Sequence, residues 1–167
     1  MDQITINRLR NNFKHLKTLK HIFVVNNDID RVWEFYTDIK HLATITPTEM
    51  NLKIINSTTG QKLIQGSEIW IAGKIIFQRK TTWHSRITFL TLYEYVDEML
   101  KGPFKKWRHL HRFHEINQKQ TQIIDEVDFE LPYGSIGKLL FEGYAYDRLE
   151  KIFAHRRIAT IKALENI

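Results

Sequence analysis

Apolar residues in the last fifth of the chain recur every three or four positions, among them Leu139, Leu149 and Phe153. Side chains three and four residues apart lie on one face of an α-helix, so this spacing predicts a single long amphipathic helix over residues 135–165. A helix with one apolar face has to bury that face against another element, which must come from the rest of the chain.

A strand and two helical segments are predicted in the first third of the chain. Residues 20–25 are rich in β-branched side chains and indicate a strand. A helix follows, with Asn27 as its expected N-cap. Its apolar stripe consists of Ile29, Val32, Trp33 and Tyr36. Residues 38–47 predict a second short helix or an ordered loop, since Pro47 disfavours helical backbone at the residue before it.

The middle of the chain alternates apolar and polar residues, which is the period of a β-strand. Six strands are predicted, at residues 52–55, 62–72, 74–83, 88–96, 104–116 and 121–131. The turns between them are predicted at residues 57–60, 73, 85–86, 101–103 and 117–120. Together with the first strand this gives an α+β chain of about seven antiparallel strands, whose curved sheet has to pack against the closing helix.

Two neighbouring strands place polar side chains on the face that points into the fold. Trp107, His109, His111 and Phe113 share one face of their strand, while the opposite face carries mostly Lys and Arg. On the next strand Asp125 lies on the inward face, and a three-residue connection sets it opposite His111. The sequence therefore predicts a buried imidazole beside a buried carboxylate.

Three roles are open for this pair. A buried charge is costly unless it is paired or faces a wet cavity, so the pair either stabilises the sheet or contacts a ligand. In the third role His111, oriented by Asp125, acts as a general acid or base. The sequence alone does not choose between them.

Composition excludes several classes of protein. The 167 residues are 43% hydrophobic and include no Cys, which excludes disulfides, cysteine zinc sites, iron–sulfur clusters and a cysteine nucleophile. No stretch reaches the roughly 18 apolar residues of a membrane-spanning helix, and the first residues lack the apolar core of a secretory signal. We expect one domain over residues 18–167, located in the cytoplasm and preceded by a basic arm over residues 1–17.

Positive charge is concentrated at residues 101–112 and in the first 20 residues, and the formal net charge is +6. The cations of the first 20 residues are Arg8, Arg10, Lys14, Lys17 and Lys20. Apolar residues at helical spacing lie between them. The arm is therefore either a solvated or docked segment, or an interfacial helix that contacts an anionic membrane. No nucleic-acid partner is expected, because no sequence motif for nucleic-acid binding is present.

A metal-binding alternative rests on Gly102, His109, His111 and Glu115, whose spacing approaches the metal motif of cupins. Two imidazoles and a carboxylate on one strand face are able to hold a divalent ion. The remaining cupin histidine would fall at Gly137, however, and a long terminal helix has no place in a small all-β jelly roll. We therefore expect no metal and no cofactor.

Several short groups of residues, spread over residues 18–165, are together specific for one superfamily. They are Val32-Trp33, Leu42, Thr46-Pro47, Tyr95-Val96-Asp97, Gly102-Pro103-Phe104, Trp107, His109, His111, Phe113, Thr121, Asp125, Leu131-Pro132-Tyr133-Gly134, Gly137, Ile152-Phe153 and Arg156. In them the chain resembles the START-like, birch-pollen-allergen-like helix-grip superfamily (SRPBCC, polyketide cyclase/dehydrase and lipid transport), and most closely a bacterial ligand-binding subgroup. Two features differ: Met99 stands where related sequences often carry Gln, and the basic arm lies outside the shared region.

The resemblance implies a hydrophobic cavity between the sheet and the closing helix, but no particular reaction, because the superfamily includes carriers, receptors, cyclases and regulators. We expect the cavity to bind or carry a hydrophobic or amphipathic small molecule, such as a lipid, an isoprenoid, a quinone or a polyketide. The residues expected to contact it are Trp83, Trp107, His109, His111, Phe113, Asp125, Phe129, Leu149 and Phe153. The alternatives are a polyketide cyclase or dehydratase with His111 and Asp125 as catalytic residues, and a regulator that binds a protein partner.

Overall fold

Seven strands and three helices make up the described part of the chain. The computed structural model describes residues 16–76, 79–132 and 134–165. The strands are β1 (Lys17–Val25), β2 (Lys53–Ser57), β3 (Glu68–Gly73), β4 (Thr81–Thr91), β5 (Glu94–Lys101), β6 (Lys106–Asn117) and β7 (Gln120–Glu130). The helices are α1 (Ile29–Thr37), α2 (Lys40–Thr44) and α3 (Gly134–Glu165), and a short 3-10 turn spans Thr48–Met50.

The strands form one antiparallel sheet in the order β1-β7-β6-β5-β4-β3-β2. Strands β2 to β7 follow one another as a meander, and β1 pairs with β7 at the far edge, from Lys17 opposite Phe129 to Val25 opposite Thr121. The predicted seven-stranded α+β architecture with one long C-terminal helix is confirmed. It is the helix-grip fold, in which a curved sheet wraps around the closing helix.

Helix α1 begins at Ile29, and Asp28 is its N-cap in place of the expected Asn27. One carboxylate oxygen of Asp28 accepts a hydrogen bond from the backbone N–H of Arg31 at 2.8 Å and so satisfies a free donor of the first turn. The side-chain amide of Asn27 instead donates to the carbonyl of Leu164 at 3.1 Å. This bond joins the start of α1 to the end of α3.

Strand β4 differs from the two strands predicted in this region, at residues 74–83 and 88–96. Residues 85–86 were expected to form a turn, but β4 runs through them and the chain reverses after Thr91. Ser85 is buried on the inward face, and Arg86 points outward, where its Nε donates to Glu68 at 2.9 Å. A serine beside a charged residue is typical of turns, but here it marks the alternation of a strand with one small inward side chain.

Helix α3 packs against the concave face of the sheet from Ala145 onward. Ala145 and Leu149 are fully buried, and Ile152 and Phe153 are nearly so. They join side chains of β1 and β7 in one hydrophobic cluster. The expected apolar stripe does not extend to the start of the helix, because Leu139 is 86% exposed.

No helix in the described part of the chain is long and apolar enough to cross a membrane. Residues 1–15, which make up most of the basic arm, lie outside the described residues, as does Tyr133. The proposed membrane contact of the arm therefore stays a prediction. Lys17, the last residue of the expected arm, is already the first residue of β1.

Candidate ligand-binding site

A cavity lies between the concave face of the sheet, α3 and the segment that contains α1 and α2; we call it the central cavity. The space open to the centres of water-sized molecules is about 130 Å³, whereas one water needs about 10–15 Å³ measured in this way. The central cavity therefore has room for much more than a single water molecule.

Most of the wall of the central cavity is apolar. Trp83 and Trp107 contribute to it from the sheet, and Leu149 and Phe153 contribute from α3. Ser85 also lines it, between the two larger inward residues of β4. Apolar walls with a few placed polar groups are typical of sites for small organic molecules.

The polar side of the central cavity is built by β5, β6 and β7. Pairing of β5 with β6 sets Asp97 directly opposite His109. Pairing of β6 with β7 sets His111 directly opposite Asp125, which confirms the register expected from the sequence. The side chains of both histidines and of Asp125 are no more than 4% exposed.

Each of the two imidazoles lies between two carboxylates. His109 Nδ1 is 3.5 Å from Asp97 Oδ2, and His109 Nε2 is 3.3 Å from Asp125 Oδ1. His111 Nε2 is 3.5 Å from the same oxygen of Asp97, and His111 Nδ1 is 2.8 Å from Asp125 Oδ1. The last approach is close but lacks hydrogen-bond geometry, so it is mainly an electrostatic contact. We call these four residues the His/Asp ring.

The two histidines of the His/Asp ring differ in pKa. Burial, reinforced by the neighbouring charge of His111, lowers the pKa of His109 to about 4. Burial also disfavours charge on His111, but the carboxylates of Asp125 and Asp97 outweigh the effect of burial and raise the pKa of the His111 imidazole. Burial likewise opposes charge on the two carboxyl groups, yet the histidines lower the pKa of Asp97 and hold the pKa of Asp125 well below its usual range. At neutral pH His109 is therefore neutral and both carboxyl groups are charged, and His111 holds a proton more readily than His109 does.

Two buried tyrosines extend the polar side of the central cavity. The ring of Tyr95 stacks on His111 with centroids 4.3 Å apart, and the hydroxyl of Tyr36 lies 3.3 Å from Oγ1 of Thr160. Burial, followed by nearby carboxylates, raises the pKa of both tyrosines. Both hydroxyls therefore stay protonated. The Tyr95 hydroxyl donates to the backbone carbonyl of Tyr36 at 3.4 Å, whereas the Tyr36 hydroxyl can donate or accept in its contact with Thr160.

Arg156 brings a positive charge from α3 to the wall of the central cavity. Its guanidinium carbon lies 5.6 Å from the centre of the Phe153 ring. Its Nε atom is buried and has no hydrogen-bond partner among the described residues. A buried donor without a partner costs free energy that a bound acceptor would recover.

The structure places the nine residues expected to contact a ligand in two groups. Those on the wall of the central cavity are Trp83, Trp107, His109, His111, Leu149 and Phe153. The other three lie behind the wall. Phe113 and Phe129 pack within the hydrophobic core, and Asp125 reaches the cavity only through the histidines it contacts.

Four further residues line the central cavity that the sequence pattern did not predict as contact residues: Tyr36, Tyr95, Asp97 and Arg156. The signal for Asp97 was its position two residues after Tyr95, on the same face of β5. The misplaced turn at residues 85–86 made residues 88–96 one predicted strand, whereas the chain reverses after Thr91, so Asp97 was not assigned to the strand that pairs with β6.

Asp97, His109 and His111 are the described residues that could together hold a metal ion. Each offers one ligand atom, and the three atoms lie within 4.8 Å of one another. Glu115, which completes the cupin-like spacing, is exposed near the end of β6. The carboxylate beside the two histidines is therefore not the one suggested by that spacing.

Comparison with known proteins identifies the fold. No profile of a known protein family matches the chain, and no curated protein matches it. Among solved structures, the Zhui aromatase/cyclase from Streptomyces sp. R1128 is 18% identical, with 90% of this chain and 92% of that chain covered and a TM-score of 0.65. A START superfamily protein from Mycobacterium smegmatis is 11% identical, with 89% and 97% covered and a TM-score of 0.69.

A third similar structure is norcoclaurine synthase from Thalictrum flavum, which is 14% identical, with 90% of this chain and 95% of that chain covered and a TM-score of 0.68. Each of the three similarities covers almost the whole of this chain and almost the whole of the other protein. At these identities the similarity concerns the fold and not the reaction.

Proposed function

We propose that this chain, which has the helix-grip fold of START-like proteins, binds or carries a hydrophobic or amphipathic small molecule in the central cavity. The observation that carries the proposal is the division of the cavity into a large apolar wall and one polar side. Such a division suits a molecule with an apolar body and a polar end, such as a lipid, an isoprenoid, a quinone or a polyketide.

The apolar body of the ligand would lie against Trp83, Leu149 and Phe153. These side chains present apolar surface to the cavity, and transfer of apolar ligand surface out of water contributes roughly 25 cal/mol per Å². Lipids, isoprenoids and quinones with an isoprenoid tail offer long apolar surfaces without charge along them. The wall therefore favours shape and apolarity over any specific chemical group.

The polar end of the ligand would face Arg156 and Tyr36. Arg156 carries the buried Nε without a partner, and the protonated hydroxyl of Tyr36 is a further donor. Both groups are able to donate hydrogen bonds. The ligand should accordingly present an acceptor, for example a carboxylate, a quinone carbonyl or the ketone of a polyketide.

Native mass spectrometry of the protein purified from its own host tests this proposal. We expect extra mass that is retained under gentle conditions and belongs to an apolar compound with an oxygen acceptor. The proposal is wrong if the protein carries no added mass and also fails to bind a fluorescent fatty acid or a quinone analogue saturably.

The Arg156→Gln variant examines the polar end. It should weaken binding of a fatty acid by about 10-fold, the loss expected for one charged hydrogen bond, and leave binding of the matching fatty alcohol nearly unchanged. Arg157→Gln is the matched control, because Arg157 is exposed on the same helix. Equal losses for the acid and the alcohol would place the polar end elsewhere.

The second candidate function is that of a polyketide cyclase or dehydratase, in which His111 moves a proton and Asp125 orients it. The contact of 2.8 Å between His111 Nδ1 and Asp125 Oδ1 favours this candidate, because the other ring nitrogen then points toward the cavity side. The similar Zhui protein is an aromatase/cyclase. In an enzyme, His111→Gln should lower turnover of a polyketide about 100-fold with substrate binding nearly intact. A carrier shows no turnover in either form.

A further inference from the structure

The three atoms that face one another across the polar side of the central cavity form a set of metal ligands. Asp97 Oδ2 lies 3.5 Å from His109 Nδ1 and 3.5 Å from His111 Nε2. For an ion bound tetrahedrally at about 2.0–2.1 Å, neighbouring ligand atoms lie about 3.3 Å apart. The observed separations are thus close to those of two edges of a metal coordination shell.

The backbone fixes this arrangement. His109 and His111 are two residues apart on β6, so both side chains point to the same face, and their ring centroids are 3.7 Å apart. Asp97 is the direct cross-strand partner of His109 on β5. All three side chains therefore project from neighbouring positions of two paired strands, where the ligand atoms do not depend on a loop.

Asp125 occupies the position of a carboxylate that supports metal-binding histidines from behind. Its Oδ1 lies 3.3 Å from His109 Nε2 and 2.8 Å from His111 Nδ1, which are the ring nitrogens that face away from Asp97. Metal-binding histidines usually contact a carboxylate or carbonyl through the ring nitrogen that does not hold the ion. Asp125 makes this hydrogen bond with His109 and lies in electrostatic contact with His111.

The remaining side of the three-ligand set is open to the central cavity. Asp97, His109 and His111 line the cavity, whereas Asp125 does not. An ion held by three protein ligands keeps at least one position for water or a bound molecule, as in zinc enzymes with three protein ligands and in iron sites with two histidines and one carboxylate. An oxygen acceptor of a ligand in the cavity would be able to reach that position.

We propose that Asp97, His109 and His111 bind one divalent first-row transition-metal ion, such as Zn²⁺, on the wall of the central cavity, with Asp125 supporting both histidines. Two imidazoles and a carboxylate are a donor set for these ions, whereas Mg²⁺ prefers oxygen ligands only. The metal site is independent of the proposed small-molecule function, because it is complete without an organic ligand.

Co²⁺ is a suitable probe of the site because its visible spectrum reports the coordination geometry. The full-length protein, first treated with a chelator and then dialysed, is titrated with Co²⁺ and with Zn²⁺, and bound metal is counted by elemental analysis. We expect one ion per chain, an intense d–d band of a four- or five-coordinate ion, and competition by Zn²⁺ but not by Mg²⁺.

Three variants assign the ligands. Asp97→Asn should weaken Zn²⁺ binding by at least about 100-fold, and Asp125→Asn by about 10- to 100-fold, which is the range for a residue that supports the ligands. His84→Gln is the matched control. His84 also pairs with a carboxylate, with 2.8 Å between its Nε2 and Glu68 Oε2, but it does not line the central cavity. The His84→Gln variant should bind Zn²⁺ as the original protein does.

These measurements distinguish a metal site in the cavity from metal binding at the surface. Unchanged binding in Asp97→Asn, or loss of binding in His84→Gln, would assign the metal to surface histidines and overturn the proposal, as would a weak octahedral Co²⁺ spectrum. If Asp97→Asn does not fold, the variant His109→Gln replaces it, and the circular dichroism spectrum establishes its fold before titration. Metal binding that is normal while all organic ligands fail to bind would leave the metal site standing and remove the proposed small-molecule function.

Discussion

His111 and Asp125 face each other across β6 and β7 as direct cross-strand partners, with 2.8 Å between Nδ1 and Oδ1. Both side chains are almost completely buried, so water does not screen their attraction. On the cavity side of the same ring lies Asp97, whose side chain is 22% exposed. The two carboxylates therefore contact the same histidines from a dry side and from a side that faces the cavity.

This difference predicts unequal stability losses for two isosteric variants. Asp125→Asn should lower the free energy of unfolding by about 3 kcal/mol, because it removes one of the two buried carboxylates that favour a charge on His111. Asp97→Asn should cost about 1 kcal/mol, since solvent in the cavity compensates part of the lost charge. Urea unfolding of both variants, monitored by tryptophan fluorescence, measures the two losses. Equal losses would show that the two carboxylates share the same environment.

The packing of α3 predicts the effect of a charge on its inner face. Phe153→Asp should destabilise the protein by several kcal/mol, on the order of 4, because an unpaired carboxylate would be buried between the sheet and the helix. Ile158→Asp is the control on the exposed face of the same helix, where Ile158 is 67% exposed, and should change stability by less than about 0.5 kcal/mol. A small effect of Phe153→Asp in thermal unfolding would contradict the observed packing.

His41 predicts a loss of stability in weak acid. It stacks on Phe35 with ring centroids 4.2 Å apart, and burial lowers its pKa from the ordinary 6.5, with Lys40 and Lys62 lowering it further and Asp38 opposing the shift. Because the folded-state pKa lies below the unfolded-state pKa, the unfolded chain binds more protons between these two values. This contribution to stability is complete above pH 6.5 and is lost as the pH falls through the lowered pKa.

The His41→Phe variant isolates this effect because it keeps an aromatic ring on Phe35 and removes the titrating group. The stability of the original protein, measured by urea unfolding from pH 7 to pH 5, should fall more steeply than that of the variant. Parallel curves would mean that His41 is protonated equally in both states.

The basic arm yields a prediction about membranes. Deletion of residues 1–15 removes Arg8, Arg10 and Lys14 but ends before β1, so the melting temperature should change little. If the arm lies on anionic membranes, the deletion should abolish sedimentation with anionic vesicles, and salt should weaken the binding of the full chain. Equal vesicle binding with and without the arm would assign it to another surface or to a solvated segment.

The parts of the structure that depend on alternation along a strand were predictable from the sequence. His111 and Asp125 could be paired because the connection between β6 and β7 is short. Few strand registers then place the apolar faces of both strands toward the core. The contacts of Asp97 were not predictable in the same way, because they required the correct bounds of β5. Ser85 and Arg86 resemble a turn, so the end of β4 and the start of β5 were predicted as one strand.

The rest of the cavity wall was less accessible to sequence analysis because distant segments build it. Tyr36 and Arg156 lie on two different helices, and only the tertiary packing brings both to the cavity. At Leu139 the sequence pattern predicted more burial than the structure shows. This residue continues the apolar period of α3, yet it is exposed, since periodicity indicates which face of a helix is apolar but not how far the sheet covers that face.

The most direct test of the central claim is to fill the cavity and measure ligand binding. Ser85→Phe places a large ring on the inward face of β4, at the smallest of the inward side chains there, while Thr88→Phe places the same ring on an exposed position of that strand. Titration with a fluorescent fatty acid should show at least about 10-fold weaker binding for Ser85→Phe, and unchanged binding for Thr88→Phe, with both variants folded. Equal affinity of the two variants would show that the ligand does not occupy the central cavity.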